Sequence, residues 1–206
     1  MPKPYYGWWI VLGSILTQFI HMTLSATAIG VFIRPVVDDL GWKVWQFTLG
    51  SSIATGTGAL SAIFMGKFVD AKGPRLLMIL GALISALCLF LISQQSNLVV
   101  FLILYAIGGL VGWGLFSTTL ISATISKWFI KKRGWALAMG SLGVSLSGLV
   151  IPVTLTIIVD SFSWRTGYMI LAIFVLIIVI PTSLIMRRTP EDYGLKPDGN
   201  FDESEQ

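Results

Sequence analysis

At 206 residues, with 55% hydrophobic and only 12% charged residues and a mean hydropathy of +0.83, the chain falls outside the composition of soluble domains, where about 25% of residues are charged. Its net charge of +4 is carried in short basic groups between apolar runs, which reads as loop anchoring at a membrane surface and speaks against a nucleic-acid partner. The single cysteine, Cys88, cannot form an internal disulfide and reads as a small buried side chain within an apolar run.

Charge-free stretches mark the elements in chain order. The first runs for 30 residues between Lys3 and Arg34 and the second for 23 between Lys43 and Lys67. Each is long enough for one helical crossing of about 20 residues. The third, Leu76 to Ser126, holds 51 uncharged residues. As one helix it would run about 76 Å, more than twice the hydrocarbon thickness, so it folds back at the polar break Ser93-Gln94-Gln95-Ser96-Asn97. A further 26 uncharged residues separate Arg133 from Asp160, and 21 separate Arg165 from Arg187. The reading is an all-α integral membrane protein with six transmembrane helices near 8–33, 45–66, 76–93, 98–126, 135–159 and 166–186. Together they form one bundle over 1–188, followed by a polar tail over 189–206. A β-barrel would show ten-residue alternating segments, and runs such as Leu83 to Ile92 do not alternate.

Basic residues set the expected orientation. With the N-terminus cytoplasmic, eleven lysines and arginines fall inside and only Arg34, Lys43 and Arg165 fall outside, so both termini are predicted to be cytoplasmic. Tyr5, Tyr6, Trp8 and Trp9 then belong to the inner interface and Trp42 and Trp45 to the outer one. A cleaved secretory signal is the rival reading of the first segment, with Ala26-Thr27-Ala28 as a faint cleavage site. The apolar run is too long for a signal core, and one lysine alone precedes it.

Within the spans, small and polar residues recur at helical spacing. Gly108 and Gly112 are four apart in the fourth span, and Gly134, Ala138, Ser141 and Ser145 form a stripe in the fifth. Such stripes let helix backbones approach closely in lipid, whether for static packing or for a moving interface. Ser14, Gln18, His21 and Ser25 put polar groups along one face of the first helix, a face that is costly to turn toward lipid. Gln18 and His21 are therefore candidates to line a central cavity, with Trp113 and Ser145 at similar depth completing its wall. The alternative for His21 is a hydrogen bond to a neighbouring helix that only fixes packing.

The loop Gly66-Lys67-Phe68-Val69-Asp70-Ala71-Lys72-Gly73-Pro74-Arg75 resembles the signature loop of the major facilitator superfamily through Gly66, Asp70, Gly73 and Arg75. Ala71 and Pro74 stand where basic residues are common in that family. Lys132-Arg133-Gly134 with the glycine-rich run to Pro152 is similar to the family's basic loop and fifth helix, and Trp164-Arg165 to the start of its sixth. Tyr5-Tyr6-Gly7-Trp8-Trp9, the segment Gly30 to Trp42, and Thr189-Pro190-Glu191-Asp192-Tyr193-Gly194-Leu195-Lys196-Pro197 are similar to the branch holding oxalate/formate antiporters and monocarboxylate transporters. Tyr105 occupies the place where many drug and sugar branches carry an arginine, so no proton-coupling arginine is carried over there.

The resemblance implies the N-terminal six-helix half of a two-half fold, with the tail as the start of a cytoplasmic linker. It also implies a solute site at the midplane between halves, and a signature loop acting as a conformational latch. The implied partners are a lipid bilayer, a small-molecule substrate, and either a second six-helix half or a homodimer partner. The implied location is the plasma membrane, or the inner membrane of a cell with two, crossed several times. The expected function is secondary transport of a small organic solute, by branch analogy a monocarboxylate or dicarboxylate anion. The alternatives are a non-transporting remnant, an assembly subunit of a split transporter, or another solute class. No cofactor or metal is expected. Nor is enzyme activity, since the chain has one lone histidine, no paired intramembrane carboxylates and no Gly-x-Ser-x-Gly elbow.

Overall fold

The computed structural model describes residues 5–198, and within it the side chains at 64, 66, 67 and 69–72 lie outside the description. Six long helical rods follow one another: α1 (Gly7–Leu40), α2 (Val44–Lys72), α3 (Pro74–Gln94), α4 (Leu98–Trp128), α5 (Arg133–Ser161) and α6 (Trp164–Ile185). A short 3-10 turn, Glu191–Tyr193, follows in the tail. Two rods are not uniform. α1 is an α-helix to Met22, a π-helical turn over Thr23–Thr27 and an α-helix again from Ala28. α4 stops at Val111, passes through a 3-10 turn at Trp113–Phe116 and resumes over Thr118–Trp128.

Five of the rods are long and apolar enough to cross a membrane. α2 matches α5 in length, at 29 residues, but its apolar character is diluted by Ser51, Ser52, Thr55, Thr57 and Ser61. α1 continues seven residues past the expected end at 33, and carries Arg34, Pro35, Asp38 and Asp39 in its last turns before Gly41 closes it in a left-handed conformation (φ +67°). Between α2 and α3 the chain reverses at Gly73, whose φ of +76° suits a residue without Cβ, and Pro74 opens the next helix where its missing N–H is not needed.

α1 lies along α5, α2 along α4, and α3 along α6. Large apolar residues point outward, as with Leu80, Leu83, Leu87 and Phe90 on α3 and Ile173 and Ile177 on α6. Large side chains such as Phe32, Phe47, Phe101 and Phe116 fill the core between the rods, and the closest backbone approaches fall at small residues, where van der Waals contact supplies attraction in lipid. On α5 the face turned to α1 is Ala136, Gly140, Gly143 and Ser147, all buried. A Cβ on Gly143 would strike the Ile15 carbonyl oxygen of α1, and one on Gly109 the Ala54 carbonyl oxygen of α2.

Each end of the bundle is tied by polar contacts. At one end Asp39 Oδ2 accepts from Trp164 Nε1 at 2.9 Å and stands 3.7 Å from Arg165, which also donates to Ser96 Oγ at 3.0 Å. At the other, fully buried Trp128 is the hub. Its carbonyl accepts from Tyr5 Oη at 2.9 Å and from the Asp198 N–H at 3.1 Å, and its indole donates to the Arg187 carbonyl at 3.3 Å. Arg187 is sandwiched between the rings of Tyr6 and Tyr193, 4.0 Å from each centroid. Burial, helped by the negative charge of Asp198, pushes the Tyr5 phenol up to about 12, so it stays protonated and keeps donating at neutral pH.

Candidate functional site

A cavity of about 340 Å³ opens among α1, α2 and α4. Its polar lining is His21 and Ser25 from α1, Thr55 from α2, and Tyr105, Trp113 and Ser117 from α4. Among the described residues no charged side chain lines it. The break in α4 builds one wall. Gly108 leaves room for the Trp113 ring, which a Cβ there would strike, and Gly114 has no Cβ to strike the Gly109 carbonyl oxygen. The 3-10 turn thus tips Trp113 inward, where it meets Tyr105 edge to face at 5.8 Å. Behind that wall the Tyr105 and Tyr168 hydroxyls are 2.8 Å apart and both residues are buried, with Tyr168 stacked on Phe32 at 4.0 Å. The His21 ring sits edge to face with Phe116 at 6.5 Å.

Of the four residues expected to form the wall, the structure brings two to it. His21 and Trp113 line the cavity. Gln18, one turn before His21, is buried against α5 instead, with its Nε2 3.8 Å from where a Gly140 Cβ would stand, and its Oε1 has no hydrogen-bond partner. Ser145 is exposed on the opposite face of α5 from the one packed on α1, as are Gly134, Ala138 and Ser141. Equal depth did not bring Ser145 to the cavity because depth says nothing about which side of a rod a residue occupies. Ser25 belongs to the polar stripe read from the sequence, whereas Thr55 and Ser117 carried no signal beyond being polar in apolar runs. Tyr105 was visible only as an unusual residue in its span.

In the signature loop, Gly73 makes the turn and the Arg75 side chain is exposed. Gly66 and Asp70 lie in the helical run of α2, and beyond the backbone both positions fall outside the description.

The sequence matches the Major Facilitator Superfamily model over residues 14–202. The chain belongs to that superfamily: it is a multi-pass membrane protein, and its six rods correspond to one half of the family fold. Among curated proteins it is 23% identical over 198 residues to a probable hexose phosphate transport protein of Chlamydia pneumoniae, covering 95% of this chain and 43% of that one. It is 31% identical over 157 residues to multidrug resistance protein MdtG of Proteus mirabilis, covering 73% and 38%. With monocarboxylate transporter 6 of Mus musculus it shares 26% identity over 170 residues, covering 80% and 35%. The chain thus spans less than half the length of these relatives.

Proposed function

We propose that the chain is one half of a secondary active transporter for a small organic solute, and that the cavity among α1, α2 and α4 is this half's share of the solute site. The observation that carries the reading is the cavity itself: a mid-bundle space lined by hydroxyls and one imidazole, in a family of transporters. Polar groups in the apolar interior of a membrane bundle are retained where they meet a solute or water. The favoured solute is a monocarboxylate or dicarboxylate anion. The likeness to a monocarboxylate transporter supports that class, and the hydroxyls suit oxygen acceptors. Among the described residues that line the cavity none is charged, and in this reading the group that neutralises the carboxylate comes from a second half or a second copy of the chain. Transport then proceeds by rocking the two halves around the site. The test is uptake of labelled small carboxylates into vesicles holding the chain alone, and with a completing half. Saturable uptake only in the completed assembly supports the proposal, and uptake by a demonstrated monomer contradicts it.

We further propose that the end holding Tyr5, Trp128 and Asp198 is cytoplasmic and that the membrane is the plasma membrane, or the inner of two. Eleven of the fourteen basic residues belong to that side. A reporter enzyme active only in the cytoplasm should work when fused after Arg133 and fail after Asn97. Activity after Asn97 alone would reverse the orientation.

A further inference from the structure

Three hydroxyls meet where α1 changes its winding. The Ala28 N–H bonds to the Thr23 carbonyl, five residues back, which gives the turn its π form. Thr23 Oγ1 donates to the Phe19 carbonyl at 2.8 Å and Thr27 Oγ1 to the Met22 carbonyl at 3.2 Å. Ser147 Oγ, from α5, stands 3.0 Å from Thr23 Oγ1 and 3.1 Å from Thr27 Oγ1. Each hydroxyl has a single hydrogen to give. These are four contacts sharing three hydrogens, with Thr23 and Ser147 wholly buried. With the Thr23 hydrogen on Phe19 and the Ser147 hydrogen on Thr23, the Thr27 hydrogen is divided between the Met22 carbonyl and Ser147. The winding of α1 and the seating of α5 are thus joined through one cluster of three hydroxyls.

The same turn supplies the cavity wall. His21 precedes it, Leu24 and Ser25 lie in it, and Ile29 follows it, and all four line the cavity. α5 contributes nothing to that lining. A π turn takes one more residue into each hydrogen-bonded ring than an α turn, so closing it rotates everything beyond by about one residue step, ~100°. The place of Ile29 on the wall would then pass to Ala28, which is now buried.

We propose that Ser147 is a positioning residue: through Thr23 and Thr27 it holds the wide turn of α1 and so fixes which residues beyond the turn face the cavity. This deepens the reading of the cavity as the solute site and rests on it. It gives α5 control over a site it does not touch.

The test uses the full chain purified in detergent with Cys88→Ala, carrying a single cysteine at Ala28 or Ile29. Each is combined with Ser147, Ser147→Ala or Ser147→Thr. Alkylation by a charged maleimide is followed by mass. A thiol in the open cavity reacts and a buried one does not, so with Ser147 the cysteine at 29 should react at least about tenfold faster than that at 28. Ser147→Ala should reverse that order, and Ser147→Thr, which keeps a hydroxyl, should restore it. Thr27→Val, which removes the partner hydroxyl at nearly constant shape, should act as Ser147→Ala does. An unchanged ratio in folded Ser147→Ala protein overturns the proposal, as does an unreactive cysteine at 29 beside Ser147. If Ser147→Ala and Thr27→Val both fail to fold, the role is packing and the proposal is again lost. Labelling requires no transport, so a reversed ratio in a protein that takes up nothing would support the positioning role while counting against the transport reading.

Discussion

Asp198 lets a single substitution test how the tail is held. Its carboxylate accepts from three successive backbone N–H groups, those of Ile130 at 2.9 Å, Lys131 at 2.7 Å and Lys132 at 3.2 Å, immediately before α5 begins at Arg133. Lys132 is the N-cap of α5 and the other two amides lead into it, so a negative charge there also complements the helix dipole. The site is open to water, so the set is weighed on the helix-cap scale of ~0.5–2 kcal/mol and not as three buried charged bonds. Asp198 has a φ of 58°, a left-handed conformation that asparagine tolerates and alanine adopts at a cost of about 1–2 kcal/mol. Asp198→Asn keeps one acceptor oxygen and the backbone tolerance, and should cost about 1 kcal/mol. Asp198→Ala should cost about 2–3 kcal/mol, a drop of roughly 4–12 °C in the unfolding midpoint for a chain of this size. The midpoint is read by thermal unfolding in detergent, and hydrogen exchange at the amides of 130–132 shows whether the clasp has opened. Unchanged exchange at these three amides in Asp198→Ala would refute the clasp, whatever the midpoint did.

Gly143→Ala should force α1 away from α5 and lower the yield of folded protein, while Gly148→Ala, with nothing near its added Cβ, should be neutral; size-exclusion profiles of the two variants check this. Tyr105→Phe leaves the Tyr168 hydroxyl buried without its partner and should cost ~1–3 kcal/mol. The double variant with Tyr168→Phe should cost less than the sum of the singles, and strictly additive losses in thermal unfolding would remove the pair. Asp70→Asn in a completed transporter should slow turnover and leave substrate affinity nearly unchanged, the behaviour of a latch and not of a binding residue; lost binding at unchanged maximal rate would end that proposal.

Charge and length made the rods legible in the sequence. Lipid admits no unpaired backbone, so an uncharged stretch of twenty or more residues has few alternatives to a helix. The reversal inside Leu76 to Ser126 followed from length, its place from the polar break, and α3 and α4 meet there. Which way each rod faces was less legible. Ser14, Gln18, His21 and Ser25 share a stripe, yet the first two turn toward the interior of the bundle and the last two reach the cavity. α5 carries two stripes of small residues on opposite faces, and the sequence does not distinguish the packed one at Gly140, Gly143 and Ser147 from the exposed one at Ser141 and Ser145. Both stripes satisfy the same spacing, and only the partner rod decides between them. The π turn and the break after Gly112 were hidden because each depends on hydroxyls or glycines meeting a second helix far away in sequence. The Asp198 clasp was hidden for the same reason, spanning more than sixty residues.

Whether this cavity is the solute site is read from the reactivity of a cysteine in place of His21, in a Cys88→Ala chain completed by a second half. His21 is the imidazole of the cavity wall, so a water-soluble thiol reagent should modify that cysteine, and a transported carboxylate should protect it at the concentrations that saturate uptake. A folded, completed protein in which position 21 stays unlabelled, or is labelled equally with and without solute, would contradict the assignment of this cavity as the solute site.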